Sequence, residues 1–536
     1  MFVQHLTGDD IRLVTSASDL TAASTCEFAF LRRVDRKIGR VIVVPDNTDA
    51  MLARAARLGE AHEARVLASY VTEFGSGSAG EPGGVVELPP RGAMTEEALT
   101  ALAELSRRAL LGDADIVFQA TFFDPEVRPA DPHTGDPAIG FVGFADFLAR
   151  TPDGAYEVQD SKLARRAKVT ALLQLAAYAE QLERIGVPVA PWAVLVLGDG
   201  ARSQHKLADI APVFRSRRDR LHQILLDRAA AVGADGRRES AEPLAWGAAG
   251  VMACGRCEVC APEVERVRDP LLIAGLRTAQ RDRLFAAGLT TLDEVAGALP
   301  EIASGALAVS GIGQAALARI AAQAAVQLAA VAGEAPPVRV IDPAALAAIP
   351  APNPGDLFFD FEGDPMYREP GAEGTARWGI DYLFGMVDAH EQFFTIWAHD
   401  LDAERRALEE FLSFVAERRA RFPGLKIYHY ASYERTHLSS IAARHGVGEQ
   451  EVDRLLREHV LVDLYPIVRQ ALRVGSRSYS IKKLEPLYMG DELRDETGVT
   501  NAGDSVVEYA EASALRASLS AVDQAEGERR LADIAE

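Results

Sequence analysis

The stretch Glu157-Val158-Gln159-Asp160-Ser161-Lys162 sets a carboxylate and an ammonium two residues apart in a short run with turn residues before it. Side chains two apart on a strand share a face, so Asp160 and Lys162 point the same way. Upstream, Ile139 to Leu148 partly alternates and reads as the neighbouring strand. Its Asp146, in Gly143-Phe144-Ala145-Asp146, supplies a second carboxylate. Hard oxygen ligands of this kind favour magnesium or manganese. Such an ion polarises a phosphodiester and acidifies the attacking water. Lys162 is then placed to position that water or to steady developing charge. Taken alone, Asp-x-Lys is common by chance and reads more readily as a salt bridge on an exposed strand.

The surroundings are α/β. Ala155 to Lys162 is followed by helical spacing over Val169 to Ile185, a buried strand over Val189 to Gly198, and a long helix from about Leu207 to Val232. Gly59-Glu60-Ala61-His62 lies on an upstream helix and offers an imidazole. Gln174 and Tyr178 are four apart on the helix after Lys162 and share a face. Gly75 to Gly84 reads as a surface loop.

The order Gly59/His62, Gly143/Asp146, Asp160/Lys162, Gln174/Tyr178 resembles the RecB-type branch of the PD-(D/E)XK nucleases. The resemblance spans residues 1–262 and implies a restriction-endonuclease-like α/β domain. It implies that His62, Asp146 and Asp160 ligate the metal and that Lys162 is catalytic. Gln174 and Tyr178 would line the site or contact DNA.

Composition sets the frame. The chain has 536 residues, 48% hydrophobic and 25% charged, as in a globular protein of two to four domains. The start, Met1-Phe2-Val3-Gln4-His5, lacks a basic segment followed by an apolar core, and no apolar run is long enough to span a bilayer. A cytoplasmic protein is expected, with no membrane partner. There thiols stay reduced, and the four cysteines favour metal ligation over disulfides.

Cys254, Cys257 and Cys260 form the run C-G-R-C-E-V-C, and Cys26 lies far upstream. Four thiolates suit zinc or an iron–sulfur cluster. Zinc sites more often use two separate C-x-x-C pairs. One early and three late cysteines resemble the 4Fe–4S clasp of several RecB-like nucleases. That resemblance implies an iron–sulfur cluster, with zinc as the alternative, holding together the ends of the nuclease domain.

The net charge of -21 argues against a broad nonspecific coat of nucleic acid. Local contacts remain open. Arg32, Arg33, Arg36, Lys37 and Arg40 form one basic cluster, and Arg165, Arg166 and Lys168 another. Each reads as a set of phosphate contacts or as a solvated face.

Residues 263–330 are Ala- and Leu-rich and helical. Gly311-Ile312-Gly313 before the last helix resembles a degenerate helix-hairpin-helix module, whose glycine hairpin presents N–H groups to phosphate. A plain helical spacer fits the same residues. The Pro-rich stretch 331–355 reads as a linker.

In the remaining segment, 356–536, Asp356-Leu357-Phe358-Phe359-Asp360-Phe361-Glu362 is an apolar strand carrying Asp-x-Glu. Asp360 and Glu362 share a face, a geometry suited to two metals. Apolar flanks mean that carboxylates there need a metal or a partner. Strands follow at Tyr382 to Val387, Gln392 to Trp397 and Leu425 to Tyr430, then Leu461-Val462-Asp463. This resembles the RNase H-like exonuclease fold of the DEDD type, in its YprB-like branch. The resemblance implies that Asp360 and Glu362 are the first acidic motif and Glu434 the second, all serving metal-dependent hydrolysis. Asp463 and Ser478 to Glu485 also fit its pattern.

The last acidic residue of that superfamily lies on a C-terminal helix. Leu531 to Glu536 falls where such a helix begins, and Asp533 is a poor substitute. The expectation is a weak second site, or a longer form continuing into a helicase. No G-x-x-x-x-G-K-[ST] occurs, so no ATP motor is expected in these residues.

The function expected is a metal-dependent DNA nuclease acting on single-stranded ends in DNA repair or processing, with a helicase in trans or in a longer chain. The alternatives are an RNA- or DNA-directed exonuclease using the second site, and a catalytically silent nucleic-acid-binding scaffold.

Overall fold

A nearly continuous apolar run, Ala138–Arg150, and the alternating Tyr156–Lys162 lie as antiparallel neighbours, with Phe147 opposite Gln159. The computed structural model describes residues 2–6, 11–45, 50–90, 92–331, 333–371, 376–489 and 502–535. The chain divides into two units, Met1–Thr48 with Leu52–Glu263, and Val264–Gly371 with Arg377–Glu536.

The first unit is built on one sheet of eight strands: β1 Phe2–His5, β2 Ile11–Ser16, β3 Val85–Glu87, β4 Ile116–Arg128, β5 Ala138–Arg150, β6 Tyr156–Lys162, β7 Val189–Leu197 and β8 Arg202–Lys206. The long strand β5 organises it. β4 runs along one edge of β5. The other edge is shared: β2 pairs with Ala138 to Val142, and β6 with Phe147 to Arg150. Residues Gly143 to Asp146 fall in the gap between β2 and β6. Helices Ala17–Thr25, Val169–Arg184 and Leu207–Ala230 pack their apolar faces on the sheet around Leu13, Leu148, Val158 and Leu195.

Gly143 has a packing reason. A Cβ there would lie 2.7 Å from Tyr178 Cε1 and 2.8 Å from Phe141 Cε1. Tyr178 is buried and stacks on Phe122 with centroids 6.1 Å apart. Overpacking of this kind costs about 1–3 kcal/mol, so Gly143→Ala is expected to lower the urea midpoint accordingly. An unchanged midpoint would mean that the two rings yield without cost.

The arginines of helix Glu27–Lys37 are largely spent inside the unit. Fully buried Asp35 takes Arg40 at 2.6 Å and Arg228 at 2.5 Å. Arg32 reaches Glu263 at 3.2 Å and Arg33 reaches Glu258 at 2.5 Å. Arg32 and Arg40 are thus engaged in internal ion pairs, in which loss of one partner strands the other's charge, while Arg33, 42% exposed at its side chain, pairs at the surface.

The second unit begins with helices Thr278–Ala286, Leu292–Gly297, Leu299–Ser304 and Gln314–Leu328. Its strands are β9 Val338–Val340, β10 Leu357–Pro370, β11 Ala376–Asp388, β12 Phe393–Trp397, β13 Ile427–His429, β14 Leu461–Asp463 and β15 Leu472–Val474. Five form a sheet in the order β12-β11-β10-β13-β14, with β10, β13 and β14 parallel and β12 antiparallel to β11. Phe359, Phe361, Phe384 and Phe411 fill the core between the sheet and helix Leu401–Arg421. The stretch read as a linker is partly ordered: Val338–Val340 is a strand paired with β15, an outcome that Val-x-Val favours.

Helices Ala502–Arg516 and Ala521–Ala535 pack against each other, and the first also packs on β10. Tyr509 stacks on Tyr382 at 3.6 Å, nearly parallel. Among the described residues, no helix is long and apolar enough to cross a membrane.

Candidate functional site

Asp146 lies in the gap on the β5 edge, where a side chain takes over the role of the missing strand neighbour. Its Oδ2 accepts the Ser161 N–H at 2.9 Å and the Ser161 hydroxyl at 3.1 Å. That bond fixes Asp146 beside Asp160 and Lys162 on β6. Asp160 is 3% exposed, and its Oδ2 lies 2.7 Å from Lys162 Nζ. The contact is a charge contact only, since this oxygen has no aligned hydrogen bond.

Burial first, and then the charge of Asp146, push the Asp160 carboxyl up to about 8. Burial works against the Lys162 charge as well, but Asp160, Asp146 and Glu63 outweigh it and hold the ammonium above its ordinary value. Lys162 is therefore held in its ammonium form. Two crowded carboxylates with a buried, unaligned oxygen fit a hard divalent cation.

Two neighbours escape sequence reading. Gln119, between the Phe118–Phe147 and Ala120–Ala145 pairs of β4 and β5, has a left-handed φ of 55°, and its amide donates to Glu63. Nothing in the sequence marks that backbone. Glu63 adjoins His62 and was open to notice there. His62 itself is buried, with Nε2 3.1 Å from the Val196 carbonyl oxygen. Among the described residues, His62, Asp146 and Asp160 do not form a set whose ligand atoms all lie within 4.8 Å of one another, whereas the four cysteines do. Gln174 is half-buried, and Tyr178 belongs to the core. Arg165, Arg166 and Lys168 are exposed on the segment between Lys162 and the next helix.

The raised Asp160 carboxyl has a consequence for stability. Unfolded, it titrates near its ordinary 3.8, and folded at about 8, so the fold holds the extra proton between these values. Its contribution is fully present below the lower value, falls as pH rises through the window, and is lost above the upper one. Manganese is expected to raise the melting temperature more at the upper end of that window than at the lower. Asp160→Asn should stabilise the cation-free protein at the upper end and remove most of the manganese effect. An equal manganese shift in wild type and variant would contradict a ligand role for Asp160.

The cysteines meet as a clasp. Cys26 Sγ lies 3.5 Å from Cys260 Sγ, and Cys254 Sγ 3.9 Å from it. The N–H groups of Ala29 and Cys254 donate to Cys26 Sγ, and that of Cys257 to Cys254 Sγ, each at 3.4 Å. Phe28, Val44, Trp246 and Val259 enclose the group. Hydrogen bonds from Cys26 and Cys260 hold the Cys257 thiol far below its ordinary range, while bonding to Cys257 pushes Cys26 up to about 11. One thiolate forms readily, and further ones need a cation to offset their mutual charge. Sulfurs around a single tetrahedral ion at about 2.3 Å lie about 3.8 Å apart, close to the spacings seen. A four-iron cluster sets its sulfurs farther apart.

In the second unit, β10 carries Asp360 and Glu362. Asp360 keeps an open edge to solvent, yet desolvation by the protein around it, and then the charges of Glu434 and Glu362, push its carboxyl up to about 7. The charge component is the one a bound cation would cancel. Glu434 is buried with Oε2 3.0 Å from His429 Nδ1. Asp463 is an organiser: its Oδ1 accepts Ala431 N–H at 2.9 Å, holding Ala431 at a φ of 76°, and caps the next helix through Tyr465 N–H at 3.0 Å. Within Ser478 to Glu485, Tyr479 donates its hydroxyl to Gln323 at 2.9 Å and so ties this segment to the helical module.

Sequence reading missed the helix at this site. Ser505, on Ala502–Arg516, donates to Glu362 Oε2 at 3.1 Å and lies 2.8 Å from the Tyr382 hydroxyl. It also missed Asp381, buried, with Oδ1 2.6 Å from His437 Nδ1. Asp533 pairs with Arg529 at 3.0 Å and is largely exposed. In the helical module Gly311 has a φ of 77° and its carbonyl accepts Arg283, while Gly313 caps helix Gln314–Leu328.

A family model described as RNase_H superfamily matches residues 357–512. The match runs from β10 into helix Ala502–Arg516 and takes in Asp360, Glu362, Glu434 and Asp463. The second unit thus carries an RNase H-like domain, of a superfamily associated with nuclease-type hydrolysis of nucleic acids. No curated protein matches the chain.

Proposed function

We propose that this chain is a metal-dependent nuclease that hydrolyses phosphodiester bonds in DNA, with the first unit as a RecB-like hydrolytic domain acting on single-stranded ends. One observation carries the reading: Asp146, Asp160 and Lys162 converge, with Asp160 buried and pushed up to about 8. Magnesium or manganese would be held by Asp146 and Asp160, with His62 nearby, and when bound would activate a water and polarise the phosphate. Lys162 Nζ–H donates toward the charge that develops on phosphate oxygen. Ser161 keeps Asp146 aimed at Asp160. Arg165, Arg166 and Lys168 bind backbone phosphates beside the site. The cysteine clasp holds a structural metal centre: resemblance favours iron–sulfur, and sulfur spacing favours a single zinc.

The second reading places the chemistry at Asp360, Glu362 and Glu434, as an exonuclease on RNA or DNA. The family match at residues 357–512 favours it. End-labelled single-stranded DNA and RNA, incubated with manganese and wild type, Lys162→Ala or Asp360→Ala, separate the two. Loss of DNA cleavage only in Lys162→Ala supports the first reading. Loss only in Asp360→Ala overturns it in favour of the second.

A further inference from the structure

A cavity of about 330 Å³ opens in the first unit between the start of helix Ala17–Thr25, the last turns of Val169–Arg184 and helix Leu207–Ala230. It is separate from the hydrolytic residues: Gln181, on its wall, lies about 18 Å along the helix axis from Val169, where that helix leaves the Lys162 segment.

Three polar side chains on its wall are more than nine-tenths buried, Thr15 at 2% exposure, Gln181 at 3% and His222 at 8%. The Thr15 hydroxyl donates to the Gly140 carbonyl oxygen at 3.0 Å, whereas the Gln181 and His222 side chains have no hydrogen bond among the described residues. Their polar atoms open onto the cavity rather than being sealed in the core, so a ligand there can pair with both. Burial, and then the charges of Arg218 and Arg128, lower His222 to about 4, so its imidazole is neutral and free to donate or accept.

The charge of the wall runs against that of the chain. Three arginines line it against Glu180 and Asp219 in a protein of net charge -21; Arg218 is paired with Glu180 and with Asp219 at 3.0 Å, and Arg184 with Asp124 at 2.6 Å. Arg128 is the least engaged, 3.8 Å from Asp136 and 44% exposed at its side chain. Phe141 and Phe214 supply apolar surface, and the Arg218 guanidinium sits 5.6 Å from the Phe214 ring centre. An apolar floor, buried amide and imidazole groups and a cationic mouth suit a flat heteroaromatic ring joined to a phosphate. The volume is at the small end of ligand cavities.

We propose that this cavity binds a nucleoside monophosphate, its base against Phe141 and Phe214, its polar edge on Gln181 and His222, and its phosphate toward Arg128 and Arg218. The choice of ligand rests on the nuclease reading, of which such a molecule is a product. The cavity itself does not.

The test is calorimetric titration of the full chain with dAMP in the presence of chelator, with deoxyadenosine and inorganic phosphate as separate probes. dAMP is expected to bind at least about tenfold more tightly than either probe. Arg128→Ala, at a half-exposed position that leaves the fold intact, and Gln181→Leu should each weaken dAMP binding by about tenfold, and Lys162→Ala should not. No binding of dAMP would overturn the proposal. So would inorganic phosphate binding as tightly as dAMP, or dAMP binding that is lost in Lys162→Ala and kept in Arg128→Ala and Gln181→Leu. The measurement needs no turnover, so an inactive hydrolytic site leaves it standing, and its failure leaves the nuclease reading untouched.

Discussion

On the proposed reading, replacing Lys162 with alanine is expected to lower manganese-supported cleavage of end-labelled single-stranded DNA by about 10²- to 10³-fold, the usual cost of removing one preorganised donor to developing charge. The loss falls on the chemical step, because Lys162 is tied to Asp160 at 2.7 Å and lies between the carboxylates and the exposed arginines. Substrate binding through Arg165, Arg166 and Lys168 should survive, so kcat drops while KM changes little. Lys162→Arg keeps the charge but not the compact ammonium, and should recover only part of the rate. Full activity in Lys162→Ala would remove the hydrolytic role from the first unit.

Cys260→Ser is expected to have the largest effect on stability. Cys260 is fully buried and its sulfur lies within 3.9 Å of those of Cys26 and Cys254. Four-thiolate zinc sites contribute about 10–16 kcal/mol of apparent binding energy, comparable with the whole stability of a typical domain, about 5–15 kcal/mol. With a metal bound there, losing one ligand should therefore abolish the cooperative melting of the first unit and release the ion. Metal and acid-labile sulfide analysis of the wild type then names the centre: iron with sulfide for a cluster, zinc without it for a single ion. A Cys260→Ser protein that melts like wild type would show the thiols to be ordinary core residues.

The strands that carry Asp146, Asp160 and Asp360 were legible because apolar alternation and turn residues mark strands locally. The cysteine set was legible because four residues of one rare type used up the whole supply. Other features depend on distant parts of the chain meeting, and local pattern is blind to those. Asp35 looks like one charge in a basic helix until Arg228 arrives from the far end of the unit. Gln119 looks like an ordinary strand residue until its backbone turns left-handed beside Asp146. The chain end shows weak periodicity, yet Ala502–Arg516 folds against β10 because Tyr509 finds Tyr382 and Ser505 finds Glu362. The Val338–Val340 strand was hidden by the prolines around it, which mark a linker until a partner strand is known.

The clasp also bears on how the chain is made. Its first and last thiols are 234 residues apart in sequence and touch in the fold. A contact of such span closes late, after the loop between its ends has become ordered. During synthesis, helix Glu27–Lys37 emerges long before Arg220, Arg228 and Cys260, the partners that bury Glu27, Asp35 and Cys26. The nascent first unit must therefore hold an open, charged N-terminal segment until its last helix has left the ribosome. Chaperone dependence is the expected cost of that order of events.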